Sequence, residues 1–347
     1  MKSFKKGSIL LCGAVVFVGL LPVLSSCRSD AVVSEHKTAH RFSAVDDGTC
    51  IHLKADGKNI LSYYHAVHDV PAGVDPLYRR SGFIHPLLSP EGKVLTRIQP
   101  PDHTHHYGIW SPWTLTHIEG REVDFWNLYK GQGTVRFAGV ESILTNGASS
   151  GFRVRQEHVD FTADKAGRVS IAEILDVQAR LDEAEGRPVW IIDLVSRQKN
   201  VLNSPIVLDA YRYGGGLGFR GSEDWTKDNC TILTSEGKTR NDADGTRARW
   251  CDVNGGFNDG TKAGIVFLSH PANREHPEPM RVWPENVGPN GAMFFEFCPI
   301  RHKAWTLKPN NEYVLRYRMV VYDGNLNPET AETLWKNFAQ ATVPAGK

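Results

Sequence analysis

Asp-Gly pairs fall at 47–48, 56–57, 244–245, 259–260 and 323–324, between short runs of apolar or alternating residues. A two-residue hairpin turn needs positive φ at its centre, and Asp-Gly supplies it at little steric cost. This punctuation constrains the fold more than any other feature. The runs at 49–53, 59–64, 151–160, 169–179, 189–196, 206–210, 264–268, 292–297 and 313–322 read as strands joined by hairpins and meanders. In 313–322 (YVLRYRMVVY), Arg316 and Arg318 alternate with apolar residues, so one face of that strand is wet or lines a cleft. Only one helix is predicted. Asn327 caps it, Pro328 takes its first position, and Ala331, Leu334, Trp335 and Phe338 form its apolar stripe. Many strands without alternating helices imply an all-β class and a large β-sandwich with a short C-terminal helix.

The first residues carry a different signal. Lys2, Lys5 and Lys6 precede thirteen residues, 9–21, that are apolar apart from Cys12, Gly13 and Gly19. That run is short for a membrane span and suits the core of an export signal. It leads into Leu24-Ser25-Ser26-Cys27, a lipobox-like sequence whose Cys27 would take a diacylglycerol. The expected organisation is a lipoprotein signal over 1–26, a polar tether over 27–40 and a single sandwich domain over 41–342. The expected location is outside the cytoplasm, periplasmic or at the cell surface, with membrane contact through the lipid alone. The 40 basic and 39 acidic residues are spread evenly for a net charge of +1, which offers nothing to nucleic acid. Cys50, Cys230, Cys251 and Cys298 lack C-x-x-C spacing, so a zinc site has no signature. In an oxidising compartment Cys230 and Cys251, on adjacent strands, are the preferred disulfide pair, with free buried thiols as the alternative.

The densest polar cluster is QPPDHTHHYGIWSPW at 99–113, bracketed by prolines and Gly108 and therefore a loop. Were it extended, His103 and His105 would share one side and His106 would face the other. Imidazole gives and takes protons near neutrality, so His105 and His106 are candidate catalytic groups. His103 and Asp102 are candidate substrate ligands, and Trp110 and Trp113 are candidate stacking surfaces for a sugar ring. Asp124, set between Val123 and Phe125, either acts as an acid with a raised pKa or accepts backbone N–H bonds. The glycine-rich run from Tyr211 to Trp225 lacks the GK[ST] of a phosphate loop. It reads instead as close backbone approach to a ligand or as a tight sheet corner, with Tyr213 and Arg220 beside it. Arg220 and Arg249 carry forks suited to hydroxyls or a carboxylate. His270, at the end of an apolar strand, is the further catalytic candidate. No cofactor is predicted. A divalent metal is the alternative, held by His103, His105 and His270.

The segments 78–113, 123–131, 213–221, 244–252, 270–273, 281–284 (RVWP) and 307–324 together resemble the bacterial PmoA-like family of unknown function. The resemblance spans most of 41–340. The family label alludes to a methane oxygenase subunit, an activity that would need several membrane spans. The resemblance implies an exported protein with carbohydrate-linked gene neighbours and a sandwich similar to the galactose-mutarotase-like supersandwiches. Its histidine-rich motif falls on Asp102, His103, His105, His106 and Gly108, and its glycine-rich motif on Tyr213, Gly214, Gly216–Gly218 and Arg220. The charged stretch Arg301, His302, Lys303 departs from it.

Three readings follow. The first is an exported carbohydrate-active enzyme acting on a carbohydrate or oxidised sugar by cleavage, elimination or epimerisation. It would use His105 or His106 with Asp124 or His270. The second is a sugar-binding lipoprotein without turnover. The third is a metal-dependent enzyme.

Overall fold

The antiparallel ladders follow the turn punctuation. In the computed structural model, which describes residues 41–341, Asp56 and Gly57 take φ of 50° and 78° and return the strand Cys50–Ala55 into Lys58–Tyr64. The strands run further than the apolar pattern suggests. Arg168–Ala184 and Arg187–Asn200 form one hairpin, turned at Glu185 and Gly186 with φ of 53° and 72°. Cross-strand pairing carries polar residues into the ladder that periodicity alone would leave outside it.

Two large antiparallel sheets and one small one result. The nine-stranded sheet is ordered Phe42–Asp46, Cys50–Ala55, Lys58–Tyr64, Phe83–Leu87, Ile109–Trp110, Leu217–Arg220, Phe294–Phe297, Glu278–Val282, Arg247–Ala248. The eight-stranded sheet is ordered Cys230–Thr234, Trp250–Gly256, Lys262–Ser269, Glu312–Asp323, Arg187–Asn200, Arg168–Ala184, Ser149–Asp160, Gly133–Thr145. A four-stranded sheet joins Trp305–Leu307, Ile206–Leu208, Thr116–Ile118 and Arg121–Val123. The chain is an all-β sandwich with a short C-terminal helix.

Side-chain alternation builds the core and exposes the site. In Phe294–Phe297, Phe295 and Phe297 point inward. Phe295 packs on Phe267 (4.8 Å between centroids) and Phe297 stacks on Tyr317 (5.8 Å), both from the eight-stranded sheet. Phe294 and Glu296 take the other face. In Leu217–Arg220, Leu217 and Phe219 enter the central core, and Gly218 and Arg220 point away from it. The outer face of the nine-stranded sheet thus carries a second aromatic cluster of Phe83, Tyr107, Trp110, Trp126, Trp283 and Phe294.

The helix Pro328–Gln340 lies on the outer face of the eight-stranded sheet, where Ala331 and Phe338 cover Val266, Leu268 and Val320. Its cap differs from the expectation. The Asn327 side chain makes no cap bond. The Glu185 carboxylate, from the hairpin turn, accepts from the Asn327 backbone N–H (2.9 Å) and the Thr330 hydroxyl (2.7 Å).

The expected Cys230–Cys251 disulfide does not form. The register sets Cys230 opposite Gly255 and Cys251 opposite Thr234, at opposite ends of the same ladder. Cys50, Cys230, Cys251 and Cys298 are all buried and free, and burial pushes the Cys230 thiol up to about 12. The expected signal, Cys27 and the whole of the tether lie outside the described residues. No helix of the described residues is long and apolar enough to cross a membrane.

Candidate functional site

The histidine loop is not extended. The His103 N–H donates to the Pro100 carbonyl and the His106 N–H to the His103 carbonyl, so two tight turns succeed each other. Gln99, at φ 45°, closes the loop by donating to the His106 carbonyl, beside an Ile98–Tyr107 bridge. Gly108 is required where the loop rejoins the sheet. Its φ is 59°, and a Cβ there would stand 2.3 Å from the Ile84 carbonyl oxygen. This double turn brings all three imidazoles together. Ring centroids are 4.8 Å apart for His103–His106 and for His105–His106, and 5.5 Å for His103–His105.

The three rings have different surroundings. His106 is 1 % exposed, packed on Trp110 and Phe294, and its Nδ1 has no partner. Burial, then the charge of His105, pushes it well below the ordinary imidazole range. Burial and His103 lower His105 to about 4, against the opposing pull of Asp124. Both rings are therefore neutral at pH 7. His103 differs in having a carboxylate partner. Its Nδ1 lies 2.8 Å from the Asp102 carboxylate, whose two oxygens also accept from one Arg220 nitrogen at 3.1 and 3.0 Å. Burial alone would raise Asp102, but Arg220 and His103 outweigh it and hold it below the usual carboxylate range. Arg220 is 1 % exposed and lies over the Trp283 ring (4.8 Å), with Nε and Nη1 unpartnered. Trp283 in turn touches His103 at 4.7 Å.

The three imidazoles face a cavity of about 190 Å³ lined also by Thr114, Trp126, Asn127, Tyr211, Arg212 and Tyr213. The Tyr213 oxygen accepts from Arg281 and from the Trp283 indole, both at 3.0 Å, which leaves its own proton free to donate elsewhere. Arg281 is anchored by Asp244 at 2.6 Å. Beneath the Tyr213 loop, Glu296 accepts from the Gly214 N–H (2.8 Å), and its Oε2 is buried without a partner. Burial pushes Glu296 well above the usual carboxylate range, against the opposing pull of the Gly214 N–H, Arg281 and Arg301. A second cavity, of about 340 Å³, lies against Asp102 and Arg220 and is bounded also by Arg97 and Glu223.

The structure gathers Asp102, His103, His105, His106, Tyr213 and Arg220 at this site, sets Trp110 and Asp124 behind its walls, and places Trp113, His270 and Arg249 elsewhere. Trp113 is fully buried in the central core. Its indole donates to Gln198, and a Cβ on Gly215 would meet its ring at 1.8 Å. The glycine-rich run is therefore a tight sheet corner closing over a tryptophan. Trp110 is 3 % exposed and forms the floor beneath His106, so neither tryptophan offers a free face to a sugar ring. Asp124 accepts from the Trp126 and Asn127 N–H groups, the Asn127 amide and Lys130. Its carboxylate holds the loop that presents Trp126 and Asn127. His270 packs on Phe338 of the helix, and Arg249 pairs with Glu236 and Glu332 over Trp335. Both belong to the helix side of the eight-stranded sheet.

That separation also undoes the His103–His105–His270 metal set. Among the described residues, one group of at least three His, Cys, Asp or Glu has its ligand atoms clustered: Asp47, Cys50 and His52. There Asp47 caps the Thr49 and Cys50 N–H groups and bonds His52, an ordinary turn arrangement.

Trp283 and Arg281 are the members that residue-by-residue reading passes over, although both stand in RVWP.

Residues 50–336 match the model of a family described as a family of unknown function (DUF6807). No curated protein matches the chain. Among solved structures, the chain is similar to the Heparinase III-BT4657 gene product, with 9% identity, a TM-score of 0.32, and coverage of 84% of this chain and 35% of that one. The chain thus spans about a third of that protein's length. It is also similar to the Slr1438 protein from Synechocystis sp. PCC 6803, with 11% identity, a TM-score of 0.34, and coverage of 81% of this chain and 95% of that one.

Proposed function

We propose that this chain, which belongs to the DUF6807 family of unknown function, is an exported carbohydrate-active enzyme that moves a proton at a sugar held in the three-histidine cavity. The supporting observation is the Arg220–Asp102–His103 chain of contacts. A carboxylate fixed by a buried guanidinium holds the His103 Nδ1–H, which sets the tautomer and leaves Nε2 as the basic atom. His103 is the general base in this reading, and Asp102 and Arg220 position it. Tyr213, with its oxygen already accepting two bonds, is the proton donor. His105 and His106, held neutral, hydrogen-bond to sugar hydroxyls. Tyr211 supplies an aromatic wall for the apolar face of a ring.

Among the described residues, no Asp or Glu lines this cavity. Glycoside hydrolysis through two opposed carboxylates therefore finds no support at it. Elimination from an oxidised sugar, or epimerisation, needs only a base and an acid, and these fit the cavity better. The resemblance to PmoA-like sequences and its carbohydrate-linked neighbours favours the same substrate class. So does anchoring by lipid on Cys27, which would put the enzyme outside the cytoplasm.

The test is turnover on oxidised and ordinary glycosides. His103→Ala should lower the rate by about 10²–10⁴-fold. Its melting temperature should stay close to wild type, because the ring is partly exposed and loop truncations cost within about 0.5 kcal/mol. Full activity in His103→Ala would remove His103 from the chemistry. Saturable sugar binding with no turnover in wild type would make the protein a binder.

A further inference from the structure

The alternation of Arg316 and Arg318 with apolar residues has no part in the histidine cavity. Both side chains stand on the outer face of the eight-stranded sheet, the face opposite the sandwich core. Strand register orders their neighbours. Arg153 pairs with Asp176, Asp176 with Val195, and Val195 with Arg316, giving one row across four strands. In the adjoining row Asp193 pairs with Arg318.

The ion pairs in these rows leave one cation over. Asp176 is shared by Arg153, at 2.6 and 3.2 Å, and by Arg197. Asp193 takes Arg318 in a two-bond fork at 2.6 and 2.9 Å. Val195 stands between Asp176 and Arg316, so no carboxylate lies directly across from Arg316. Among the described residues the Arg316 guanidinium has no hydrogen-bond or ion-pair partner, although the residue is only partly exposed. These residues line a groove of about 330 Å³ closed on one side by Phe338. Its four arginines and two aspartates leave it a formal charge of +2.

We propose that this groove is a second binding site, for a ligand carrying an oxyanion (carboxylate, sulfate or phosphate), with Arg316 as its principal contact. A planar guanidinium binds such a group through two parallel N–H bonds. The flanking arginines lower the potential energy of an anion there without giving up their own pairs, and Val195 supplies apolar surface for the body of the ligand. The site is independent of His103 chemistry and stands whether or not that chemistry is correct.

The test is calorimetric titration of the full chain with inorganic sulfate, inorganic phosphate and glucuronate in turn, at constant ionic strength. At least one of the three should bind saturably at one site. Arg316→Gln should weaken that binding about tenfold or more, the loss expected for one charged hydrogen-bonding partner. It should leave turnover and melting temperature as in wild type. Should Arg316→Gln fold poorly, Arg316→Lys serves instead: it keeps the charge, loses the fork, and should bind with intermediate affinity. Which anion binds best identifies the oxyanion class. The proposal is overturned if none of the three binds saturably, if Arg316→Gln binds as wild type does, or if Arg220→Gln abolishes the binding and Arg316→Gln does not.

Discussion

At the scale of single residues, burial decides protonation more than partners do. Glu278 is fully buried and accepts from Ser269, Tyr317 and Asn273, yet burial still pushes it up to about 7. His105 is moved the other way, to about 4, also chiefly by burial. The two have opposite linkage. A carboxyl raised in the folded state favours folding fully below its ordinary value of 4.5, and that contribution is lost as pH rises through about 7. A histidine lowered in the folded state favours folding fully above its ordinary value of 6.5, and that contribution is lost as pH falls through about 4. Glu278→Gln keeps most of the hydrogen-bonding shape without the titration. Its stability relative to wild type should therefore rise between pH 4.5 and 7 and level off above, as read from urea melts across that range. A relative stability that is flat or falls over this window would mean that Glu278 titrates normally.

At the scale of elements, the site depends on segments whose local shape comes from distant partners. The helix illustrates this. Its sequence places a capping residue at Asn327 and a proline at the first position, and both stand where expected. The cap bond itself comes from Glu185, brought there by the long hairpin. A carboxylate at this position also faces the positive end of the helix. Glu185→Ala should therefore destabilise the protein by about 1 kcal/mol and speed amide exchange in 328–340. Asn327→Ala should cost only a few tenths of a kcal/mol, since no side-chain bond is lost. The reverse order of effects would restore Asn327 as the cap. The histidine loop follows the same rule. Prolines and Gly108 mark a loop in the sequence, but the double turn that gathers three imidazoles rests on its own backbone bonds and on the sheet at Ile84 and Arg97.

At the scale of the whole molecule, the sandwich separates two kinds of polar surface. The nine-stranded sheet turns aromatic residues and the histidine site outward, and the eight-stranded sheet turns out its arginine rows and the helix. If the polypeptide is also held at a membrane by Cys27, both faces work on material outside the cytoplasm. Cys27→Ser should release the protein from the membrane fraction, because a single diacyl unit would supply the attachment at ~0.8 kcal/mol per buried CH₂. Retention after a salt wash, with the signal removed, would assign the attachment to another part of the chain.

The sequence by itself determined the class of fold. Turn residues and apolar alternation are local properties, and a strand needs only its own period and its own turn to be legible. It also marked the histidine loop, because three histidines and an aspartate in five positions are dense whatever surrounds them. Which histidine is coupled to a carboxylate, and which tryptophans are walls or core, was decided by the tertiary structure alone. Asp102 engages His103 because Arg220, more than a hundred residues on, arrives at the same point of the sheet. Trp113 is core because Gly215 leaves room for its ring. His270 and Arg249 look as chemical as His105 in one dimension, and strand order alone sends them to the other sheet. Charge, burial and hydrogen bonding depend on distance through space, and in an antiparallel sandwich most of the contacts that set them join residues far apart in the chain.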